Sequence, residues 1–264
     1  MPRAPKLTVT IPASLAPSPR NLFAGTSGWT YPTWKPGFYP ADVPSRAFLP
    51  VYASRLTSVE VNYTFRTLPT ETQLQGWLDA TPPGFRFSFK APQRITHFQR
   101  LRNSHEAVAE FVASLAPAQQ AGKLGPLLFQ LPPNFAADTT RLADLLAAPA
   151  LRNTTAQLAF EFRHESWFTE ATYDNLRQHN AALCIAESDD LATPEVHTAN
   201  FFCYRLRRNG GYTPTELKTF ATRFTKLSKQ GEVFTYFKHE DEPTGPLNAE
   251  AMLRLATILD GGAR

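Results

Sequence analysis

The stretch SVEVNYTFRTLPTETQLQGWLDA, residues 58–80, contains the pattern that decides the fold. It begins at 58–62 with apolar Val59 and Val61 alternating with polar residues, and continues into a segment, 70–80, whose apolar residues recur at helical spacing. Thr70 and Glu71 are typical of the first turn of a helix. The stretch therefore predicts a strand, a loop and a helix in succession, which is one βα unit.

The same alternation recurs along the whole chain. Strands are predicted at 22–26, 58–62, 86–90, 127–131, 158–163, 182–187, 201–206 and 233–238. Helices are predicted at 47–56, 70–80, 104–116, 139–148, 169–179, 214–229 and 246–259. The sixth helix is missing or degenerate, because residues 189–200 are too few and too rich in proline and threonine. Eight such units predict a single-domain (β/α)8 TIM barrel, since an open sheet is expected to carry a glycine-rich phosphate fingerprint after its first strand.

Length and composition agree with one barrel domain. The chain has 264 residues, of which 42% are hydrophobic and 19% charged, as in an ordinary globular protein. We assign residues 21–264 to the barrel, and residues 1–20, which include five prolines, to an extended arm. The net charge of +4 is compatible with a small anionic ligand and, without a long basic run, does not favour nucleic acid.

Cysteine usage and hydropathy suggest a cytoplasmic protein. Cys184 and Cys203 form neither a disulfide framework nor a metal-binding spacing. No segment reaches the roughly 18 apolar residues of a membrane span, so no membrane partner is expected. We predict that Cys184 and Cys203 lie on neighbouring strands with opposite side-chain directions, which disfavours a disulfide.

Polar residues cluster where the predicted strands end. Residues two apart on a strand share a face, so each pair at a strand end points the same way. The large apolar residues between them are expected to pack outward against the helices. The polar residues are Glu60 and Asn62, Ser88 and Lys90, Gln130, Glu161 and Arg163, Glu187, Arg205 and Arg207, and Tyr236 and Lys238. We therefore predict that they point into the mouth of the barrel.

The mouth formed by the carboxyl ends of the strands is where TIM barrels carry their active sites. We predict catalytic roles for Glu60, Lys90 and Glu161 in this mouth. The predicted substrate-binding residues are Trp29, Asn62, Gln130, Arg163, His164, Arg205, Arg207, Tyr236 and Lys238. No metal ligand is assigned and no cofactor is predicted.

The first βα loop is long and unusually aromatic. Residues 25–40 read GTSGWTYPTWKPGFYP, in which glycine and proline interrupt regular structure. We expect its aromatic side chains to form a wall or lid over the mouth. The alternative is that Trp29 and Trp34 fill the top of the barrel as part of the core.

Several motifs together resemble one family. They are GTSGW at 25–29, VEVNYTF at 59–65, PPGFRFSFKAP at 82–92, ITH at 95–97, LGPLLFQLPPNF at 124–135, EFRHESWF at 161–168, YFKHED at 236–241 and the dipeptide NA at 248–249. The chain from residue 23 to residue 256 is similar to the YecE-like family, known as domain of unknown function 72. This resemblance implies a TIM-barrel fold and no established activity.

The chain departs from that family at two places. Family members often have Tyr-x-Arg-x-His-Gly on the seventh strand, whereas residues 204–208 here read YRLRR. A role for a histidine at that position therefore does not carry over. Arg66 stands where the family often has tyrosine.

The excess of cations in the predicted mouth favours an enzyme that acts on a phosphate- or carboxylate-bearing small molecule. Arginine binds such oxyanions through two parallel hydrogen bonds, and a lysine of lowered pKa can act as a base or a Schiff-base nucleophile. Fold analogy alone suggests a hydrolase, lyase or isomerase. The structural alternative is a neutralised network that pairs Glu60 with Lys90, and Glu161 with an arginine.

Three other functions remain open. A divalent-metal enzyme is compatible with Glu60, Glu161, His164, Glu187 and Asp189, although the nearby cations oppose it. Nucleic-acid binding is compatible with the basic mouth, with the stackable rings of the first loop, and with Arg94, Arg100 and Arg102. A binding protein without turnover is the last alternative, because the fold does not determine the function. The oligomeric state does not follow from the sequence.

Overall fold

Eight parallel strands form a nearly closed barrel in the computed structural model, which describes residues 19–188 and 191–261. The strands are β1 (Leu22–Thr26), β2 (Ser58–Val61), β3 (Arg86–Lys90), β4 (Leu124–Gln130), β5 (Leu158–Glu161), β6 (Ala182–Glu187), β7 (Phe202–Leu206) and β8 (Val233–Phe237). Each strand from β2 to β7 pairs with the strand that follows it in sequence, and β8 also pairs with β1. The predicted single-domain (β/α)8 barrel is confirmed.

Helices cover the outside of this barrel. Those of the described residues are α1 (Phe48–Arg55), α2 (Glu71–Asp79), α3 (His105–Ser114), α4 (Ala116–Gln120), α5 (Thr139–Leu146), α6 (Pro149–Arg152), α7 (Glu170–Gln178), α8 (Pro214–Leu227) and α9 (Thr244–Gly261). No helix is found among the described residues between β6 and β7, as predicted. None of the described helices has the length and apolar character needed to cross a membrane. Of the predicted arm, residues 1–18 lie outside the described part.

The two-residue alternation of the strands separates an inner core from an outer one. The residues that point inward near the base of the barrel form a cluster of Phe23, Leu128, Ala159, Ala182, Cys184, Phe201, Cys203, Phe234 and Tyr236. The outward residues, among them Val61, Phe89 and Phe162, join the larger core beneath the helices. The barrel is thus filled below its mouth, which leaves its carboxyl-terminal end for polar side chains.

The sixth strand corrects one prediction. Cys184 lies opposite Cys203 in the β6–β7 register, and both side chains point into the barrel, with their sulfur atoms 3.6 Å apart. The predicted opposite directions are therefore wrong. The physical reason is size, because the small Ala182 and Cys184 fit the crowded interior while Leu183 and Ile185 cover the helices.

The barrel is sealed between β1 and β2 by a side chain. The hydroxyl group of Tyr52, from α1, accepts a hydrogen bond from the Thr26 amide at 2.7 Å and donates one to the Ser58 carbonyl at 3.1 Å. Beside it, Gly25 is required, since a Cβ atom there would lie 1.8 Å from the Ser58 carbonyl oxygen. A single bridge between Ser27 and residue 60 completes the junction above this point. We call this junction the seam.

Replacement of Tyr52 by phenylalanine tests the seam. Loss of the hydroxyl group leaves the Thr26 amide and the Ser58 carbonyl without their partner, so we expect the free energy of unfolding to fall by about 1–3 kcal/mol. Urea unfolding measures this change. The exposed Tyr63, whose hydroxyl group bonds to no described residue, is the control, and Tyr63→Phe should change stability by less than about 0.5 kcal/mol. Equal effects of the two variants would contradict this role of Tyr52.

Candidate active site

Arg205, on β7, is the centre of the mouth and is only 1% exposed. Its Nη2 atom donates to Glu60 Oε1, on β2, at 2.7 Å, and its Nη1 atom donates to Glu161 Oε2, on β5. Nη1 also lies 3.4 Å from the Gln130 side-chain oxygen. Both carboxylates are buried, so three ionised groups from separate strands meet out of contact with water. One arginine thus links three sides of the barrel.

Part of this centre is unsatisfied. Glu60 Oε1 also accepts a hydrogen bond from Ser27 Oγ at 2.8 Å, whereas Glu60 Oε2 is buried and bonds to no described residue. Arg205 Nε is likewise buried without a partner among the described residues. Buried polar groups without partners are costly and are found mainly where function requires them. One oxygen of the Glu60 carboxylate therefore has no hydrogen-bond partner among the described residues.

Three further cations surround this centre. Arg163 donates from Nε to Glu161 Oε1 at 2.8 Å, and Arg207 donates from Nη1 to Ser27 Oγ at 3.0 Å. Lys90 Nζ lies 4.2 Å from the centroid of the Phe65 ring and bonds to no described residue. Among the described residues, the mouth thus holds four cations against two carboxylates, an excess of two positive charges. The predicted pairing of Glu60 with Lys90 is not observed, because Arg205 takes that place.

Burial and neighbouring charges shift the pKa values of these groups in opposite directions. Burial raises the pKa of Glu161, but the charges and hydrogen bonds of Arg205 and Arg163 outweigh burial and lower it to about 2. Burial also raises the pKa of Glu60, and Arg205 again outweighs it, so that pKa is lowered. Burial and the charge of Arg205 lower the pKa of Lys90 to about 8, although both glutamates oppose this shift. Lys90 is therefore the group of the three that exchanges protons near neutral pH.

A cavity of about 140 Å³ opens beside the centre, between the ends of β5, β6 and β7. Glu161, Arg163 and Arg207 line one part of it, and Phe162 and Leu191 line another. The Nη atoms of Arg163 and the Nη2 atom of Arg207 make no hydrogen bond with a described residue. The cavity thus brings two guanidinium groups with free N–H donors to a space that fits a small anionic group.

Not every predicted site residue reaches the mouth. Tyr236 lies one layer deeper, fully buried, with its hydroxyl group 2.8 Å from Ser58 Oγ. Lys238 turns away from the mouth and bonds to Asn209 and to Glu240. The structure brings together Glu60, Lys90, Gln130, Glu161, Arg163, Arg205 and Arg207.

His164 also stands apart from the mouth group. Its Nδ1 atom accepts a hydrogen bond from the Ser166 amide at 3.2 Å and lies 2.8 Å from Ser166 Oγ. The ring therefore caps the short helical turn Glu165–Trp167 that follows β5.

Some aromatic residues of the first loop belong to the core, and others line an open space beside the mouth. Trp34, Phe38 and Tyr39 are buried in the outer core, and the indole N–H of Trp34 donates to the Glu240 carbonyl. Trp29 is only half-buried and lines an open groove of about 360 Å³ with Asn62. We call this space the aromatic groove; it is lined by Gly28, Trp29, Thr30, Tyr31, Val61, Asn62, Tyr63, Gln73 and Trp77.

Three residues near the mouth were missed by the sequence analysis. Ser27, which bonds to Glu60 and to Arg207, lies one residue beyond β1, and extension of the two-residue rule would have found it. His97 lies in the short helical turn Arg94–Phe98 after β3, and His239 follows β8, so the two-residue rule of the strands does not give their side-chain directions. Burial lowers the pKa of both histidines, and neighbouring cations lower it further, so both rings are neutral at pH 7.

The structure also bears on the metal alternative. Glu187 turns outward, because the small residues of β6 face inward, and it forms an ion pair with Arg208 on the outside of the mouth. This corrects its predicted place in the mouth. Asp189 lies outside the described residues. Among residues 19–188 and 191–261, no group of three or more His, Cys, Asp or Glu side chains is arranged to hold a metal ion.

These features define a class of protein. A ring of eight parallel strands with ionised side chains at its carboxyl ends is an α/β barrel of the kind that carries binding sites at that end. Within this class, the chain belongs to the family described as protein of unknown function DUF72, whose family model matches residues 23–262. The resemblance drawn from the sequence motifs is thereby confirmed.

Two curated relatives are uncharacterised proteins of the same kind. The UPF0759 protein YunF of Bacillus subtilis is 29% identical over 157 residues, 58% of this chain and 54% of that protein. The UPF0759 protein YecE of Escherichia coli K12 is 32% identical over 114 residues, 43% of this chain and 39% of that protein. The chain thus spans about half the length, or less, of these relatives.

Solved structures support the fold. A DUF72 family protein from Thermotoga maritima MSB8 is 26% identical and aligns with a TM-score of 0.76 over 90% of this chain and 99% of that one. A DUF72 family protein from Enterococcus faecalis V583 is 20% identical and aligns with a TM-score of 0.71 over 90% of this chain and 95% of that one. The second likeness concerns the fold alone.

Replacement of Arg205 by methionine tests the buried centre. The change leaves Glu60 and Glu161 buried without their shared cation, so we expect the free energy of unfolding at pH 7 to fall by about 3–5 kcal/mol. Urea unfolding measures this loss. The triple variant Arg205→Met, Glu60→Gln, Glu161→Gln removes the buried charges together and should recover most of it. If Arg205→Met is as stable as the wild type, the ion pairs do not hold the mouth together.

Replacement of Lys90 by methionine should have the opposite effect. Because Lys90 is charged and partly buried at neutral pH, we expect Lys90→Met to raise the free energy of unfolding by about 0.5–2 kcal/mol, a gain typical of relieved functional sites. Lys218→Met, on the exposed face of α8, is the control and should have little effect.

The pH dependence of this gain gives a second measurement. The pKa of Lys90 is about 8 in the folded chain and about 10.4 in an unfolded one. The folded state therefore carries the cost of a buried ammonium group below pH 8 and is relieved of it as the pH rises. The advantage of Lys90→Met should be largest below pH 8 and should shrink between pH 8 and pH 10.4. An advantage that does not change with pH would show that Lys90 is not the titrating group.

Proposed function

We propose that the protein is an enzyme that acts on a small molecule with a phosphate or carboxylate group, bound in the mouth of the barrel. The observation that carries this proposal is the excess of two positive charges among the described residues around the cavity, with N–H donors that none of those residues uses. A structural network would be expected to neutralise its own charges. Here Glu60 pairs with Arg205, and Glu161 pairs with both Arg205 and Arg163, so two carboxylates are shared among four cations and positive charge is left for a ligand.

Arg163 and Arg207 are suited to hold the anionic group. Glu161 fixes Arg163 and Ser27 fixes Arg207, so both guanidinium groups are oriented before a ligand arrives. Preorganised donors lose little freedom on binding, and charge-assisted hydrogen bonds are roughly twice as strong as neutral ones. The anion would bridge the two arginines across the cavity.

Lys90 is suited to the chemical step. With a pKa of about 8, a useful fraction of its amine is neutral at pH 7–8 and can take a proton from a carbon next to a carbonyl group. The electron pair of the broken C–H bond moves to the carbonyl oxygen, where the surplus cations stabilise the negative charge. Lys90 then holds the proton as an ammonium group and can return it to another atom. This chemistry favours a lyase or isomerase.

Nucleic-acid binding is a second candidate, favoured by a separate observation. Phe98, in the loop after β3, is 73% exposed and lines a groove of about 390 Å³ with Arg100, Arg102 and Arg141. An exposed ring beside several arginines is the combination that binds single strands by stacking and phosphate contact. This groove adjoins the third βα loop and is lined by other residues than the mouth cavity.

A combined binding and turnover screen tests both candidates. Phosphorylated metabolites, carboxylic acids and short oligonucleotides are tested by thermal shift, and conversion of the small molecules is followed by mass spectrometry. We expect one or more of the small anions to raise the melting temperature by several degrees and to be converted. Arg207→Met should weaken binding by about 10- to 100-fold through loss of a charged hydrogen bond. Lys90→Met should abolish conversion, and Lys218→Met should behave as the wild type.

The possible outcomes separate the functions. Binding of small anions without conversion of any would indicate a binding protein, and the enzyme proposal would then be wrong. Stabilisation by oligonucleotides alone would favour the second candidate. If no anionic compound changes the melting temperature, the proposed anion site itself is refuted.

A further inference from the structure

The aromatic groove is an open pocket with flat walls. Trp77, on α2, lies edge-to-face with Trp29, at 5.3 Å between ring centroids, and with Tyr63, at 6.2 Å. Tyr63 is 47% exposed, whereas Trp29 and Trp77 are half-buried. These three rings come from the first loop, the second loop and α2, and they enclose about 360 Å³ with their neighbours. The groove is therefore built by parts of the chain that are distant in sequence.

A polar group points to a ligand in this groove. Asn62 lines the groove, and its side-chain oxygen is buried and bonds to no described residue. Asn62 precedes the short helical turn Tyr63–Phe65 but does not cap it with its side chain. A buried acceptor without a partner is costly, so a ligand that brings an N–H or O–H donor gains from meeting it. Gln73 and Thr30 add two further polar side chains.

The groove lies next to the charged mouth, with Ser27 between them. Arg207 reaches Ser27 Oγ at 3.0 Å, and the groove begins at the next residue, Gly28. Tyr31 lines the groove, donates a hydrogen bond to the Ser27 carbonyl at 2.9 Å and stacks on His239 at 5.1 Å between ring centroids. Ser27 thus contacts Arg207 and is followed by Gly28 at the edge of the groove, so the two sites adjoin.

We propose that the aromatic groove binds the heteroaromatic base of a free mononucleotide whose phosphate group lies in the mouth. This inference rests on the proposed anion site and specifies its substrate class. A base offers a large flat surface for the rings and an N–H donor for Asn62.

Equilibrium binding measurements test this inference. The ligands are AMP, GMP, CMP, UMP, ribose 5-phosphate, inorganic phosphate and a four-residue oligonucleotide, all at one ionic strength. We expect at least one mononucleotide to bind about ten times more tightly than ribose 5-phosphate, as expected for one stacked base. Tyr63→Ala, an exposed position, should remove most of this difference and leave the affinity for ribose 5-phosphate unchanged. Phe98→Ala, an exposed aromatic residue outside the groove, is the matched control and should keep the difference.

Each other result overturns the inference in a distinct way. If ribose 5-phosphate binds as tightly as every mononucleotide, the groove does not hold a base, although the anion site stands. If the advantage of the mononucleotide survives in both Tyr63→Ala and Trp77→Ala, the base lies elsewhere. If the oligonucleotide binds more tightly than any mononucleotide, the ligand is not a free nucleotide. If none of the ligands binds, both the anion site and the groove assignment are wrong.

Discussion

The ion pairs of Arg205 with Glu60 and Glu161 are the constraint on which the mouth of the barrel depends. The three groups come from β7, β2 and β5 and are out of contact with water, so each is tolerable only while the others are present. Removal of the ions from water costs several kcal/mol for each, and a set of packed apolar side chains would hold the strands at lower cost. The presence of buried ions here is therefore best explained by their effect on the charge and the pKa values of the cations that surround them.

The effect of that centre is to leave two of the outer cations without an ion pair. Because Arg205 takes Glu60 and shares Glu161 with Arg163, Lys90 and Arg207 form no ion pair with a described residue. The same arrangement lowers the pKa of Lys90, through burial first and the charge of Arg205 second, while both glutamates remain ionised. The buried arginine thus adds to the effect of burial in lowering the pKa of Lys90. On the other side of the mouth, Ser27 connects this centre to the aromatic groove.

The sequence was sufficient for the fold and for most of the charged centre. The alternation of strands and helices predicted the barrel, and the rule that residues two apart share a face placed Glu60, Glu161 and Arg205 in one mouth. The rule failed on β6, where Ala182 and Cys184 take the inner face, although the alternation of small and large residues there contained the signal. It failed again beyond the strands, because His97 and His239 lie in loops whose backbone no longer alternates. The pairing of Glu60 with Arg205 rather than Lys90 depended on distances between strands, which the sequence does not give.

The seam between β1 and β2 has a mechanical consequence. Elsewhere among the described strands, peptide groups join each neighbour to the next, whereas here a phenol oxygen takes part of that place. Local opening of a barrel is expected at the junction where its strands share the fewest hydrogen bonds, and the amide hydrogens at that junction exchange first with solvent. Ser27 and Glu60 lie on the two sides of the seam. A molecule bound in the mouth against both residues would hold this junction closed.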